Sequence, residues 1–535
     1  MPILALIAIY VISNFLLLLS RGLYWDGWYW ITLIQNQNYQ TIWETAASAR
    51  LYNVYYLFRL TGTATDPVFA LKLLAFASWL LAGIFLYGIL RKKLSLKIDR
   101  AFFVSASFLL ITSFLVKAEI SMLQYAVNNA LFFAAIFLYV TAEKNQNRLF
   151  RNLTFLASWL LFFISFLTNS FLVFYGGFLA LLFLLYRQEH PEHSLKSLIL
   201  PWLKKEWLFV ILPIIFGLLK LYAGRPAEGP YSDYNQFIAL DKNFLPTLIQ
   251  NIWQFVVYGF FWPIFAPLSI LPRKIFAGIF LIIGGLFYAL SKKSLSSQEP
   301  GKDFSAKTYL ISGLALFVLG IIPYLAVSKA PHVFGNGFAM RHTLLLPLGS
   351  SLIILGILLA AVKEKWQLIA QTILLSLFSV FTIFNYYLQD MDWYKQKAII
   401  TSLKETKNEA IINATSLIFH DKMGINWQNR NIRGEEYFGY IQSAFPKEKW
   451  KFTASEEHDP IKNYYLNEAI NSRSFPAGFD PAKKVVKVEI ISRALKEITT
   501  AKNWLKLKKS EVLGNESQLL KDIKDIYRVE IIPLN

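Results

Sequence analysis

ILALIAIYVISNFLLLLSRGLYWDGWYWITLIQ (residues 3–35) joins an apolar run to a short polar, aromatic one. The run from Pro2 to Leu19 has the length a helix needs to cross about 30 Å of hydrocarbon. No basic segment precedes it and no small-residue cleavage site follows, so it reads as a retained first span rather than a removable signal. Directly after it, Asp26 stands among Tyr24, Trp25, Trp28, Tyr29 and Trp30. A carboxylate at a bilayer boundary is costly unless it is solvated or paired. Two readings follow. In one, Asp26 faces water beside a belt of interfacial aromatics; in the other, it serves a reaction.

The rest of the chain repeats the apolar pattern. Of 535 residues, 55% are hydrophobic and 16% aromatic, and the excess is gathered into runs of spanning length. The expected fold is a polytopic α-helical membrane protein with about eleven transmembrane helices, occupying residues 1–389. Interfacial helices at about 27–66 and a C-terminal soluble α/β domain over 390–535 complete it. Arg91, Lys92 and Lys93 end the second run and mark a cytoplasmic side. Met1 is then inside, and Asp26 and the C-terminal domain are outside. The stretch 251–271 contains Pro263 and Pro267 and reads either as re-entrant or as a twelfth span that would invert all that follows. In the tail, SLIFHD, VVKVEIIS and YRVEIIPL read as strands, and NWLKLKKSEVL and ESQLLKDIKDI as helical stretches. Trp393 suits an anchor where the last span meets that domain.

A net charge of +19 would suit nucleic acid, but in a membrane protein Lys and Arg gather in cytoplasmic loops, so no nucleic-acid partner is expected. Cysteine is absent, which excludes a disulfide framework, a thiolate metal site and a cysteine nucleophile.

The pattern Trp25-Asp26-x-Trp28-Tyr29, with Tyr39 further on, resembles the start of the first outer loop in GT-C glycosyltransferases, PIG-V-type mannosyltransferases in particular. The spacing of Asp26 and Tyr29 is also similar to the Asp-Glu-x-x-Tyr start of the protein-O-mannosyltransferase-like branch. Gly27 stands where that branch has Glu, and Asn38 where a Gly would precede Tyr39. The resemblance implies a polyprenyl-phosphate-sugar donor, a glycan, lipid or protein acceptor, inversion at the anomeric carbon, and a place in the bacterial plasma membrane. It also implies that Asp26 acts on the acceptor. Chemistry agrees: a sugar or protein hydroxyl is a weak acid, so its attack needs a base or strong acceptor in place.

Lys329, His332, Arg341 and His342 lie in one outer loop between two spans. Arg offers a planar fork to phosphate oxygens and Lys a point charge. GT-C enzymes are similar in placing a basic group there for the carrier phosphate, which nominates Arg341, then His342 and Lys329. The plainer reading is that Arg341 snorkels and His342 packs. The spacing of His332 and His342 does not suit zinc.

Lys117 and Glu119 end the third span. Some GT-C enzymes hold a divalent ion, Mg or Mn, between the first-loop Asp and a second acid here, which would be Glu119. The alternative is an exposed Lys117–Glu119 ion pair. Tyr29, Glu44, Arg50, Tyr52, Tyr55 and Arg59 could line the acceptor side or form a surface helix with an aromatic face. Arg225, Glu228, Asp233 and Tyr234 lie in an outer loop suited to cover a donor pocket. Two rivals remain: an O-antigen ligase or polymerase, which would not need Asp26, and a lipid or glycan flippase, which would carry charge midway through spans and inverted repeats.

Overall fold

The structure is a computed structural model. It describes residues 1–48, 51–223, 244–295, 301–333, 337–406, 408–424, 430, 432–446, 451–455, 483–494 and 497–534. Arg50, Arg225, Glu228, Asp233 and Tyr234 lie outside the described residues.

The chain opens with α1 (Pro2–Leu19), then three short helices, α2 (Asp26–Gln35), α3 (Tyr39–Ser48) and α4 (Tyr52–Thr61). Three short helices replace the one or two expected for the interfacial segment. The membrane part continues with α5 (Pro67–Lys92), α6 (Ile98–Leu110), α7 (Leu123–Glu143), α8 (Arg148–Ser165), α9 (Ser170–Glu189) and α10 (Leu195–Ala223). It is completed by α11 (Phe244–Val256), α12 (Trp262–Phe265), α13 (Lys274–Leu295), α14 (Ala306–Leu325), α15 (Leu346–Ala361) and α16 (Glu364–Thr406). Local signals set several ends. Asp66 accepts from Phe69 N at 2.9 Å and Pro67 opens α5, while Arg91 and Lys92 close it where the helix dipole favours cations. Asn147 and Ser305 cap α8 and α14 in the same manner as Asp66.

Among the described residues, eight helical stretches are long and apolar enough to cross a bilayer. A ninth arises if the turn Gly337–Thr343 and α15, bent by 71° to each other, are one span. The shortfall from eleven has local causes. α6 has 13 residues, α8 opens on Arg148 and Arg151, and α10 holds Lys204, Lys205 and Glu206 in its interior.

The stretch Phe244–Ile270 is long enough to span but is broken by a π-turn and a 3-10 turn around its prolines. Near its start Asn251 Nδ2 lies 3.4 Å from Ser328 Oγ, just beyond α14. Just past its end the Arg273 guanidinium sits 4.9 Å from the centre of the Phe384 ring on α16.

α16 is one helix of 43 residues, running through position 390 without a break. It lies alongside α1 in the same direction: Ser13 bonds Ser379, and Tyr24 donates to Gln389 O at 2.7 Å. Its far half carries the C-terminal part, with α17 (Glu409–Asn413), α18 (Gly434–Ala444), α19 (Ala501–Val512) and α20 (Glu516–Tyr527). Their sheet has the order β2-β1-β3-β4, from β1 (Ser416–Asp421), β2 (Phe452–Ser455), β3 (Val485–Ser492) and β4 (Val529–Leu534). β1 pairs in parallel with β2 and β3, and β3 is antiparallel to β4. The three strands and two helices read from the sequence are present; the short β2 was not foreseen.

This part sits on the Asp26 end of α1. Lys508 on α19 donates to Leu19 O at 2.8 Å and pairs with Asp390 and Glu511. Lys72 donates to Ser20 O and Gly22 O, at 3.0 and 2.7 Å, and so fixes the turn that leads to Asp26.

Candidate active site

The aromatics around Asp26 are not an interfacial belt. Tyr24, Trp25 and Trp28 are buried, and they form the seat of the C-terminal domain. Trp28 donates to Gln396 Oε1 at 2.8 Å and meets Tyr440 edge-on at 5.2 Å. Its ring lies flat over Gly439 of α18, where a Cβ would fall 2.5 Å from it, so only glycine admits this crossing. Trp25 adopts φ 46°, a conformation that costs a bulky residue on the order of 1 kcal/mol or more. Its ring is held between Phe338, at 5.2 Å, and the Arg430 guanidinium, at 5.4 Å. Arg430 is bonded to Asp392 and Glu436 and is fully buried. The first loop is thus locked by the far end of the chain, and Asp26 is the next residue on.

Asp26 is the first residue of α2 and half-buried. Burial lifts its carboxyl above the ordinary carboxylate value, by more than the nearby Arg433 and Arg341 charges pull it down. A raised pKa makes a stronger base of the ionised form.

Glu119 enters from the turns between α6 and α7. It is buried, and its Oε1 accepts from Ser121 N at 3.0 Å. The same oxygen packs against the Gly27 backbone: a Cβ on Gly27 would lie 2.6 Å from it. The two acids of this region, Asp26 and Glu119, thus meet across the Gly27 backbone. Burial pushes Glu119 up to about 8, and the Asp26 charge adds to the shift. Its Oε2 has no hydrogen-bond partner among the described residues. Lys117 does not pair with it. The Lys117 amine turns away, donating to Leu109 O at 2.7 Å over the Trp79 ring, so the reading of an exposed Lys117–Glu119 ion pair is corrected. The reason is burial of the whole turn, whose residues 115–118 pack beneath the Trp79 and Phe114 rings.

Arg341 lies in the 3-10 turn Gly337–Thr343, which Thr343 Oγ1 ties to Ser113 O at 2.7 Å, beside the Glu119 turns. Close contact of α14 with α15 at Gly313 and Gly349, where a Cβ would meet backbone atoms at 2.6–2.7 Å, holds the two helices that flank this loop. The Arg341 guanidinium lies 4.0 Å from the centre of the Phe338 ring, and its Nη1 donates to Phe338 O at 2.9 Å. Lys329 and His342 lie within electrostatic reach of Arg341. Burial, with the Arg341 charge, lowers Lys329 to about 8. His342 is buried, with its ring 5.3 Å from that of Tyr324.

Electrostatic reach thus links Asp26 with Glu119 and with Arg341, and Arg341 in turn with Lys329 and His342. It leaves Tyr29 and Glu44 outside that group. Tyr29 Oη lies 3.4 Å from Thr45 Oγ1, and exposed Glu44 accepts from Gln40 at 2.8 Å. Arg59 donates to Tyr55 Oη on the exposed side of α4, and the Tyr52 and Tyr55 rings gather round Trp43. His332 departs as well: its Nε2 is 3.0 Å from Gln254 Nε2. Sequence reasoning missed Arg433, Phe338 and Arg430. The one available signal was the arginine pair closing on GEEYFGY, within a tail otherwise read only for its strands and helices.

The Arg433 and Arg341 charges beside Asp26 disfavour a divalent cation there. Among the described residues no group of three His, Cys, Asp or Glu side chains is arranged to hold a metal ion. Comparison with family models, with curated proteins and with solved structures returns no match, so the site is read from its own geometry.

Proposed function

We propose that the chain is an inverting glycosyltransferase of GT-C type, using a polyprenyl-phosphate-linked sugar at the outer face of a bacterial plasma membrane. The observation that carries this is the convergence of Asp26 with Arg341, 315 positions apart, with Lys329 and His342 beside the arginine. Asp26 takes the proton of the acceptor hydroxyl as its oxygen attacks the anomeric carbon. The bond from that carbon to the phosphate oxygen breaks, and the electron pair leaves with the lipid phosphate. Arg341 and Lys329 hold the charge that develops there. Glu119, neutral at pH 7, can donate a hydrogen bond to a substrate oxygen next to Asp26.

Topology supports an outward-facing site. Arg91, Lys92, Lys93 and Lys97 lie at the opposite end of the bundle from Asp26, where Lys97 meets Asp303, as expected of a cytoplasmic side. Phe244–Ile270 starts by Ser328 and leads to Arg273 against Phe384, so we read it as re-entrant. Eleven crossings then remain, α1, α5–α10 and α13–α16, and the C-terminal domain shares the Asp26 side.

The test is a membrane assay with labelled polyprenyl-phosphate sugars, comparing wild type, Asp26→Asn and Arg341→Ala. Transfer by the wild type and its loss in both variants is expected. Equal consumption of donor by all three overturns the reading. A ligase-type enzyme would keep its activity in Asp26→Asn.

A further inference from the structure

We propose that the C-terminal domain completes the anion site: Arg433, together with Arg341 of the membrane part, forms a two-arginine clamp for a phosphate-bearing group, built around Phe338. This deepens the reading of Arg341 as the phosphate holder and rests on it.

Four observations carry the proposal. First, Arg433 and Arg341 both lie within electrostatic reach of Asp26, although one opens α18 and the other sits between α14 and α15. Second, one buried ring serves both. The Phe338 centroid is 4.0 Å from the Arg341 guanidinium carbon and 5.8 Å from that of Arg433. Contact with one ring keeps the two planar cations near each other despite their mutual repulsion. Third, the segment carrying Arg433 is pinned three residues earlier. Arg430 is bonded to Asp392 and Glu436 and stacked on Tyr24 and Trp25, so Arg433 and Asp26 are each placed from the same Trp25–Arg430 contact. Fourth, the site holds a carboxyl oxygen of buried Glu119 with no hydrogen-bond partner among the described residues. A buried polar atom of this kind calls for a ligand that bonds it.

The charges define the ligand class. Two guanidinium groups stand beside Asp26, and Arg433 also meets the Glu436 charge. A pair of planar cations suits the oxygens of a phosphate monoester or a diphosphate. The group that leaves in glycosyl transfer from a lipid phosphate is of this kind.

The experiment uses the full-length protein in phosphatidylcholine nanodiscs. Binding of inorganic phosphate and of inorganic pyrophosphate is measured directly, and a second arm uses nanodiscs that also contain polyprenyl phosphate. The wild type should bind the probe, and Arg433→Gln should weaken binding about tenfold or more, as loss of a charge-assisted bond predicts. Arg433→Lys should recover part of that loss. Binding that is unchanged in Arg433→Gln but lost in Arg341→Gln overturns the clamp. Arginine-selective labelling by phenylglyoxal of the wild type gives a readout that needs no variant. Pyrophosphate or polyprenyl phosphate should protect Arg433 together with Arg341, and protection of Arg341 alone also overturns the proposal. Protection only in the polyprenyl phosphate arm identifies a lipid headgroup, and protection by the free anions identifies the phosphate itself. If sugar transfer is absent while Arg433-dependent binding persists, the enzymatic reading fails and the clamp stands.

Discussion

Two groups of charges lie side by side where the first loop meets the C-terminal domain, and they are built on opposite terms. In Asp392–Arg430–Glu436 every member is bonded: the arginine reaches one carboxylate at 2.5 Å and the other at 2.5 and 2.6 Å, and all three are buried. In the second group Asp26 lies within reach of the Arg433 and Arg341 charges and Glu119 within reach of Asp26, and one carboxyl oxygen of Glu119 has no hydrogen-bond partner among the described residues. A buried charge set whose members are bonded to one another is a structural device, costly to break. A set whose acids are lifted by burial and left open to bonding is poised to act on something else.

Breaking either set should have a different signature. Asp26→Asn should cut transfer about 100- to 10,000-fold, the usual worth of a general base, with the melting temperature unchanged. A kinetic trace that stays at wild-type level would move Asp26 to the structural side of the comparison. Arg430→Ala should act first on stability. Leaving two buried carboxylates without their cation costs about 3–5 kcal/mol, seen as a lower denaturation midpoint, and activity should fall further than the folded fraction because Asp26 and Arg433 lose their common hold. An unaltered midpoint would show that Arg430 is not the lock.

Gly27→Ala tests the contact between the two acids. Its Cβ would press on the Glu119 oxygen at 2.6 Å, and overpacking of this kind costs about 1–3 kcal/mol. The denaturation midpoint should drop, and pairing the change with Glu119→Ala should restore part of it. Glu119 itself gives a pH signature. Its folded pKa, about 8, lies above its ordinary 4.5, so between those values the folded chain holds a proton that the unfolded chain has released. Stability should therefore fall as pH rises through that window, and Glu119→Gln should flatten the slope relative to wild type. Parallel slopes would place the Glu119 carboxyl in water. Glu44→Gln, on the exposed side of α3, should change stability by less than about 0.5 kcal/mol and leave transfer intact.

The sequence carried the membrane helices and the tail strands because both are local: apolar runs and alternating residues announce themselves within one element. Asp26 was legible for a similar reason, as a charge out of place beside a span. Arg341 was legible because loops between spans carry few cations without cause. Arg433 was not. Its meaning depends on Trp25, Phe338 and Asp26, which lie between 95 and 408 positions away, and no periodicity records such a meeting. The tryptophans misled in the other direction. A Trp beside a span reads as an interfacial residue, but Trp28 is covered by α16 and α18 and Trp25 by Phe338 and Arg430, and composition does not say which surface will cover a ring.

α16 has a consequence of another sort. Forty-three residues of helix span about 65 Å, more than twice the hydrocarbon thickness. The outer domain is therefore mounted on a stiff mast rather than tethered by a cord. It has no joint at the membrane surface about which to swing, and admitting a bulky lipid by tilting it aside would mean bending a rod packed on nearly all its faces.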